Sequence, residues 1–154
     1  MQKEANQIRR RATAVIIKDG TILLMRRVKP DREYFILPGG GVDDGESIEE
    51  AVRREVKEEF CLDVKKCRFL FELENLVVPQ FITVHTGNRN EYYFLIEDYG
   101  GVPEIGGPEK EKMTKENQYH VAWLTMDEFA KRPNIFPREG VEKLNAYLRQ
   151  RPPR

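Results

Sequence analysis

The sequence predicts a layered domain that combines a β-sheet with packed helices, of the α/β or α+β class. Two observations support this class: β-rich runs separated by turn signals, and amphipathic helical patterns at about 48–60 and 138–149. The length of 154 residues fits one domain and is sufficient to bury a core without disulfides or structural metals. We therefore expect a single domain over residues 1–154, with flexible tails at 1–11 and 151–154.

The balance of charges restricts the partners that the whole molecule attracts. The 26 basic residues cancel the 26 acidic ones, so no net field draws the protein to nucleic acid or to an anionic membrane. Apolar runs such as 14–17 and 22–25 are far shorter than the ~20 residues that span a bilayer. The charged N-terminus predicts no secretory signal, and two cysteines without a disulfide pattern fit a reducing compartment. We expect a cytoplasmic protein that binds neither nucleic acid nor membrane.

The first forty residues contain two strand signals and a glycine segment. The β-rich runs 12–18 and 21–27 flank Asp19-Gly20, a pair typical of two-residue hairpin turns. A short apolar stretch follows at 34–37, and Pro38 and three glycines come directly after it. Because proline and glycine disfavour the interior of helices and strands, we expect 38–41 to form a loop.

The helix at 48–60 has a clear start signal. Ser47 and Glu50 match a capping box, in which each side chain bonds the backbone of the other residue. The later strands are predicted at 64–73, 76–84, 92–97 and 119–124, with a loop at about 98–117. A short helix is predicted from Thr125 and ends before Pro133. A last helix at about 138–149 is predicted to bury Val141, Leu144 and Leu148. Strands and helices therefore alternate along the chain.

Three glutamates of the first helix lie on one patch of its surface. Glu55, Glu58 and Glu59 are three and four residues apart, and Glu59 falls inside the apolar stripe that faces the core. Clustered carboxylates repel one another and lose solvation unless a cation joins them, and an all-oxygen site suits Mg²⁺ or Mn²⁺. The alternative is a solvated acidic face whose glutamates pair with basic residues of the same helix. We expect these basic residues on the far side of the helix: Arg53, Arg54 and Lys57.

The segment 40–62 resembles the Nudix box, the signature of hydrolases that act on nucleoside diphosphates linked to another group. It reads Gly40-x5-Glu46-x7-Arg54-Glu55-Val56-x-Glu58-Glu59-x-Cys61-Leu62. Six of the seven fixed glycine or charged positions match, and Cys61 stands where the box has glycine. This position follows the helix in a left-handed conformation, which costs a residue other than glycine about 1 kcal/mol. We expect the cysteine to change local geometry and to remove no ligand.

The resemblance implies both a fold and a reaction. Members of the family fold as an α/β/α sandwich, with a mixed β-sheet between helices, and use Mg²⁺ or Mn²⁺ to hydrolyse a diphosphate linkage by water attack on phosphorus. Glu55 or Glu59 is implied as the base, and Glu46 and Arg54 are implied to brace the segment by an ion pair. The implied metal ligands are the Gly40 carbonyl and the side chains of Glu55, Glu58 and Glu59.

Residues outside the box are further candidates for substrate binding. Arg26 and Arg27 end a strand just before the glycines, where an arginine can hold phosphate. The family often recruits another glutamate from a late loop, and three lie in that region: Glu109, Glu111 and Glu116. Aromatic residues of the strands either stack on a base or pack in the core: Phe35, Phe81, Tyr92 and Tyr93. The resemblance also implies a small nucleotide as substrate and a homodimer as the assembly.

The substrate and the competing functional classes stay open at this level. Possible substrates are an ADP-ribose-like compound, which the position of Pro79 favours, a modified nucleoside triphosphate and a dinucleoside polyphosphate. The competing class is a non-catalytic Nudix-like sensor or regulator, but such modules usually lose box glutamates that this chain has. A cysteine nucleophile at Cys61 or Cys67 and a P-loop are disfavoured, because the surrounding motif of each is missing from the sequence.

Overall fold

The computed structural model describes residues 8–83 and 87–150, which form nine strands and four helices. The strands are β1 (Arg9–Val15), β2 (Ile17–Lys18), β3 (Thr21–Lys29), β4 (Arg32–Ile36), β5 (Gly39–Gly41), β6 (Asp63–Val77), β7 (Asn88–Gly100), β8 (Gln118–Thr125) and β9 (Ile135–Phe136). The helices are α1 (Ile48–Phe60), α2 (Gly107–Lys112), α3 (Met126–Lys131) and α4 (Arg138–Gln150).

The strands form two sheets that meet at β1 and β3. The first sheet has the order β5-β1-β7-β6, in which β1 and β7 are parallel and the other neighbours are antiparallel. The second has the order β2-β3-β4-β9, and β8 pairs with β3. At the junction, the Leu23 amide donates to the Ile16 carbonyl (2.9 Å) and the Ala14 amide donates to the Pro38 carbonyl (2.8 Å). Parallel and antiparallel pairs therefore occur together, as the predicted mixed sheet requires.

Helices α1 and α4 pack on opposite faces of these sheets. Side chains alternate between the two faces of a strand, and β3 shows the alternation directly. Leu23 and Met25 pack with the buried side of α1, whereas Ile22 and Leu24 pack with that of α4. The buried helical residues are Ala51, Val52, Val56 and Phe60 of α1 and Val141, Leu144 and Leu148 of α4. The layered α/β prediction is therefore confirmed.

Helix α1 begins and ends where the sequence predicts. The Glu50 amide donates to Ser47 Oγ (3.0 Å), and the Ser47 amide donates to Glu50 Oε1 (2.8 Å), so both bonds of the capping box are present. The helix ends at Cys61, which has left-handed backbone angles (φ 60°, ψ 32°) and whose amide bonds the Lys57 carbonyl. The cysteine therefore occupies the conformation that glycine adopts most easily.

The segment of three glycines is a strand rather than the predicted loop. β5 pairs antiparallel with β1 in the register Gly39–Thr13, Gly40–Ala12 and Gly41–Arg11. A short strand at the edge of a sheet loses little by lacking side chains, and their lack allows close approach by a neighbouring element. Here that element is α1. The segment that was wrongly predicted as a loop is therefore the one that faces the glutamates of α1.

Other boundaries also differ from the prediction. β1 starts at Arg9, so residues 9–11 pair with β7 and are not a flexible lead-in; residues 1–7 and 151–154 lie outside the described part of the chain. The segments predicted as two strands at 64–73 and 76–84 form one strand up to Val77. A turn follows, in which the Ile82 amide bonds the Pro79 carbonyl, and residue 84 is outside the described residues.

The C-terminal part agrees more closely with the prediction. The predicted loop at 98–117 contains the short helix α2, and β9 was not predicted. Helix α3 starts after the Thr125 cap and ends before Pro133, and α4 extends one residue beyond the predicted 138–149. Of the helices in the described ranges, none is long and apolar enough to cross a membrane.

Candidate active site

Glu59 of α1 lies against the backbone of β5. Its Oε1 accepts a hydrogen bond from the Gly39 amide at 2.7 Å, and the side chain is half-buried. Burial raises the pKa of the Glu59 carboxyl to about 8, whereas the charge of Arg11 and the Gly39 hydrogen bond act in the opposite direction. A carboxyl group placed in this way binds a proton or a cation more readily than an exposed one.

Glu55 lies against the next glycine of the same strand. A side-chain carbon at position 40 would collide with the Glu55 carboxylate, so only glycine allows this approach. Burial is the largest influence on Glu55 and raises its pKa, and the adjacent Arg54 guanidinium lowers it. Two carboxylates of α1 therefore face the backbone of β5 at consecutive residues.

Arg54 joins the glutamates to the segment that precedes the helix. Its guanidinium bonds both oxygens of Glu46 (Nε–Oε2 2.7 Å, Nη2–Oε1 3.0 Å) and the Gly41 carbonyl (2.9 Å). The remaining Nη1 group contacts Glu55 at 2.8 Å and Glu58 at 3.3 Å. Hydrogen bonds from Arg54 lower the pKa of Glu46 to about 2. The ion pair implied for Glu46 and Arg54 is therefore present in the structure.

The expectation that the basic residues of α1 project away from the glutamates is wrong for Arg54. Its long side chain turns back along the helix surface, where one guanidinium can serve several carboxylates. Arg53 and Lys57 do lie elsewhere: Arg53 bonds Glu49 and the Val64 carbonyl, and Lys57 bonds Asp63 at 2.9 Å.

The donor set of this site fits a hard divalent cation. Three carboxylates lie within two turns of α1 beside the carbonyls of β5, and oxygen ligands of this kind suit Mg²⁺ and Mn²⁺. Gly40 leaves the space that a side chain would fill next to Glu55. As they stand, however, no three acidic, histidine or cysteine side chains of the described residues converge on one point. Glu55 and Glu58 instead share the Nη1 group of Arg54, and Glu59 accepts from the Gly39 amide, so the predicted single patch is only partly formed.

Helix α2 brings one of the late glutamates to the site. The Gly106 amide donates to the Glu59 carbonyl at 2.8 Å, and a side chain at position 106 would collide with the Glu58 carbonyl. Glu109, in the first turn of α2, is close enough that its charge helps to raise the pKa of Glu59. Glu116 is exposed in a turn between Thr114 and Asn117, and Glu111 is also exposed.

Arg26 and Arg27 point to opposite faces of β3. Arg27 is buried on the same face as Met25, where its guanidinium lies 3.8 Å from the centre of the Tyr119 ring. It also bonds the Tyr34 hydroxyl (3.2 Å) and Asn117 Oδ1. Arg26 instead forms an exposed ion pair with Glu33, so only Arg27 shares the face on which α1 packs.

Most of the aromatic residues considered for base stacking are part of the core. Phe35, Tyr92 and Tyr93 pack within the two buried clusters. Phe81 is half-buried and packs edge-on against Tyr34, with their ring centres 5.1 Å apart. Of these four residues, Phe81 and Tyr92 are half-buried, whereas Phe35 and Tyr93 are buried.

Sequence reasoning missed three charged residues close to β5: Arg11, Arg89 and Glu91. Arg11 was assigned to a flexible lead-in, and the other two lie in a strand that was predicted to start only at 92. The sequence carries no period-2 signal for this cluster, because three consecutive arginines stand at 9–11 and three consecutive polar residues at 89–91.

The family of the chain follows from its match to known domains. A family model described as NUDIX domain matches residues 8–144. The chain belongs to the NUDIX domain family. Its fold is also that of solved members: a MutT NUDIX hydrolase from Burkholderia pseudomallei is similar with a TM-score of 0.68 and 25% identity, over 90% of this chain and 99% of that one.

Two curated relatives of this NUDIX domain have named activities. One is an ADP-ribose pyrophosphatase of Methanocaldococcus jannaschii, 54% identical over 46 residues, which are 29% of this chain and 27% of that protein. The other is an RNA pyrophosphohydrolase of Wolbachia sp. subsp. Brugia malayi, 30% identical over 94 residues, which are 57% of this chain and 58% of that protein. The chain therefore spans about a quarter of the length of the first relative and somewhat over half of the length of the second.

Proposed function

We propose that this NUDIX domain is a divalent-metal-dependent hydrolase that cleaves the diphosphate linkage of a nucleoside diphosphate derivative. The observation that carries this proposal is the approach of Glu55 and Glu59 to the glycine strand β5. Glu58 lies beside them, and Arg54 braces the helix against Glu46. The names of the two curated relatives, both pyrophosphohydrolases, support the same reaction class.

The side chains divide the chemical work in the following way. Glu55, Glu58 and Glu59, together with the Gly40 carbonyl, would hold Mg²⁺ or Mn²⁺. When bound, the ion would neutralise charge on the diphosphate and lower the pKa of a water molecule at the site. Glu55 and Glu59 are the two candidates for the base that takes the proton from this water. Arg54 holds one oxygen of Glu55, and the Gly39 amide holds one oxygen of Glu59. Each carboxylate therefore has a second oxygen that can accept the proton.

We further propose an ADP-ribose-like compound as the first substrate to test. The name of the Methanocaldococcus jannaschii relative supports it, and a modified nucleoside triphosphate or dinucleoside polyphosphate is the alternative. Arg27 is the substrate-binding candidate that lies on the face of α1, whereas Arg26 and Glu116 have no such support. A cytoplasmic location, in which Cys61 and Cys67 remain free thiols, and a homodimer are part of the same proposal.

The test is hydrolysis of a nucleotide panel with Mg²⁺, with Mn²⁺ and with a chelator, followed by chromatography of the products. The panel contains ADP-ribose, oxidised and normal nucleoside triphosphates, dinucleoside polyphosphates, NADH and nucleotide sugars. We expect metal-dependent cleavage of at least one compound, and a loss of about 10²–10⁴-fold in the Glu59→Gln variant. The matched control is Glu49→Gln, an exposed glutamate on the same helix, which should retain wild-type turnover.

Two results would contradict the proposal. Wild-type turnover in Glu59→Gln would remove that residue from the mechanism. Absence of cleavage for every compound, combined with tight binding of one nucleotide, would instead identify the non-catalytic sensor.

A further inference from the structure

A buried ionic cluster lies next to β5, outside the group of glutamates. Glu91 of β7 is completely buried and accepts hydrogen bonds from Arg89 Nε (2.7 Å) and from the Tyr93 hydroxyl (2.9 Å). Arg11 of β1 completes the cluster, with its Nε 3.9 Å from Glu91 Oε2. The parallel pairing of β1 with β7 brings these residues together, because Arg11 is the direct partner of Glu91.

The positions of Glu91 and Tyr93 are fixed from several directions. A buried carboxylate needs partners for its charge, and here one carboxylate serves two guanidinium groups. The Tyr93 hydroxyl lies so close to Gly140 of α4 that any side chain at position 140 would collide with it. The cluster is therefore tied to β1, β7 and α4, and its members have little freedom to rearrange.

Arg11 extends from this cluster to the segment that enters β5. Its Nη2 donates to the Leu37 carbonyl at 2.8 Å, two residues before Gly39. Gly39 in turn donates its amide hydrogen to Glu59 at 2.7 Å. The buried Glu91 is therefore linked to Arg11 by an ion pair, and Arg11 is linked to the Leu37 carbonyl by a hydrogen bond. Pro38 then connects Leu37 to Gly39, whose amide bonds the Glu59 carboxylate.

The space around the arginines is too small for a ligand. The cavity bordered by Arg11, Thr13, Arg89 and Glu91 has a volume of about 10 Å³, which is room for a single water molecule. A phosphate group needs more room than one water molecule. The cluster is therefore better suited to hold protein groups in place than to bind a substrate anion.

We propose that Arg11 is a positioning residue that holds the Leu37 carbonyl and thereby sets the Gly39 amide against Glu59. The proposal rests on the proposed function, in which Glu59 is a metal ligand or base. Groups that orient a ligand in this indirect way typically change metal affinity or activity by about 10–100-fold when removed. Loss of Arg11 should therefore weaken Mn²⁺ binding and lower kcat within that range, with a smaller change in KM.

The direct readout is the amide signal of Gly39. Pro38-Gly39 is the single Pro-Gly pair in the sequence, so labelling with carbonyl-¹³C proline and ¹⁵N glycine selects this amide in an NMR spectrum. In the metal-free protein, Arg11→Met should move the Gly39 signal upfield, as Glu59→Gln should, because both variants weaken the hydrogen bond. Mn²⁺ affinity is measured on the same samples without substrate.

The matched control is Arg10→Met, which removes the same charge from the neighbouring, exposed position of β1. It should leave the Gly39 signal and Mn²⁺ affinity as in the wild type. Arg11→Lys retains a donor and a charge, so it should recover part of the affinity, and it replaces Arg11→Met if that variant does not fold.

The outcomes separate this proposal from the proposed function. An unchanged Gly39 signal and unchanged Mn²⁺ affinity in both Arg11 variants would overturn the positioning role. An equal loss of Mn²⁺ affinity in Arg10→Met would also overturn it, because removal of any positive charge from this part of β1 would then explain the effect. A wild-type protein that hydrolyses no compound would contradict the proposed function, while a shifted Gly39 signal would still support the role of Arg11.

Discussion

Two arginine centres adjoin the glycine strand, and they balance their charges in opposite ways. At the first, the single guanidinium of Arg54 contacts Glu46, Glu55 and Glu58, all of which keep some contact with solvent. At the second, the two guanidiniums of Arg11 and Arg89 share one carboxylate, Glu91, whose exposure is 0%. One centre has an excess of negative charge and the other an excess of positive charge.

The difference indicates what each centre can do. An exposed excess of carboxylates can accept a cation from solution, because water can screen the charge until the ion binds. A buried centre has no such screening, so its groups must satisfy one another and remain fixed. We therefore expect the Arg54 centre to be responsive to metal and pH, and the Glu91 centre to act as part of the framework.

The largest expected effect is the loss of stability in Glu91→Gln. Removing the carboxylate leaves the buried Arg89 and the partly buried Arg11 without a charge partner, which costs about 3–5 kcal/mol in comparable cases. The free energy of unfolding should fall by this amount in urea denaturation. The matched control is Glu33→Gln, because Glu33 forms an equally short pair with Arg26 (2.7 Å), but the two side chains are 39% and 40% exposed.

The control should lose less than about 1 kcal/mol, as is usual for exposed pairs. Similar losses in Glu91→Gln and Glu33→Gln would show that burial does not distinguish the two kinds of centre, and the comparison would fail.

A smaller effect, with a characteristic pH dependence, is expected for Glu46→Gln. Arg54 holds the pKa of Glu46 at about 2, below the value of about 4.3 for an unfolded chain. The charged form therefore stabilises the fold above about pH 4.3, and this contribution disappears as the pH falls towards 2. Glu46→Gln should melt at a lower temperature than the wild type at pH 7, and the difference should shrink between pH 5 and pH 2.

Melting curves across this range provide the measurement, with Glu74→Gln, an exposed glutamate of β6, as the control. A melting difference for Glu46→Gln that stays constant with pH would show that the Arg54 pair does not set the pKa of this carboxyl.

The smallest effect is expected at the end of α1, where neither charge centre is involved. Cys61→Gly relieves the left-handed conformation (φ 60°), worth about 1 kcal/mol, but glycine also gains entropy in the unfolded chain. The melting temperature should be unchanged or higher by a few degrees. Cys61→Ala, which keeps the strained backbone and removes the thiol, is the control and should not be stabilised. A clear drop in Cys61→Gly would reveal a packing role for the cysteine side chain.

The features near α1 were predictable because they depend on short separations in sequence. Ser47 and Glu50 fix the start of the helix, and the spacing from Glu46 to Arg54 fixes the brace. Periodicity alone also assigned the buried faces of α1 and α4 correctly. Such local rules fail where a neighbouring element changes the outcome, as at β5. Its glycines form a strand because β1 supplies hydrogen-bond partners, and the Glu55 carboxylate of α1 fills the space beside Gly40.

The family, the α/β class and the acidic helix therefore follow from the order of residues along the chain. Which distant residues meet that helix depends on how the strands and helices pack. Arg11 and Glu91 become partners through the register of β1 with β7, and the start of α2 lies against the end of α1 because the Gly106 amide bonds the Glu59 carbonyl. Contacts of this kind depend on strand pairing and close packing across long stretches of chain, and no local pattern of residue types encodes them.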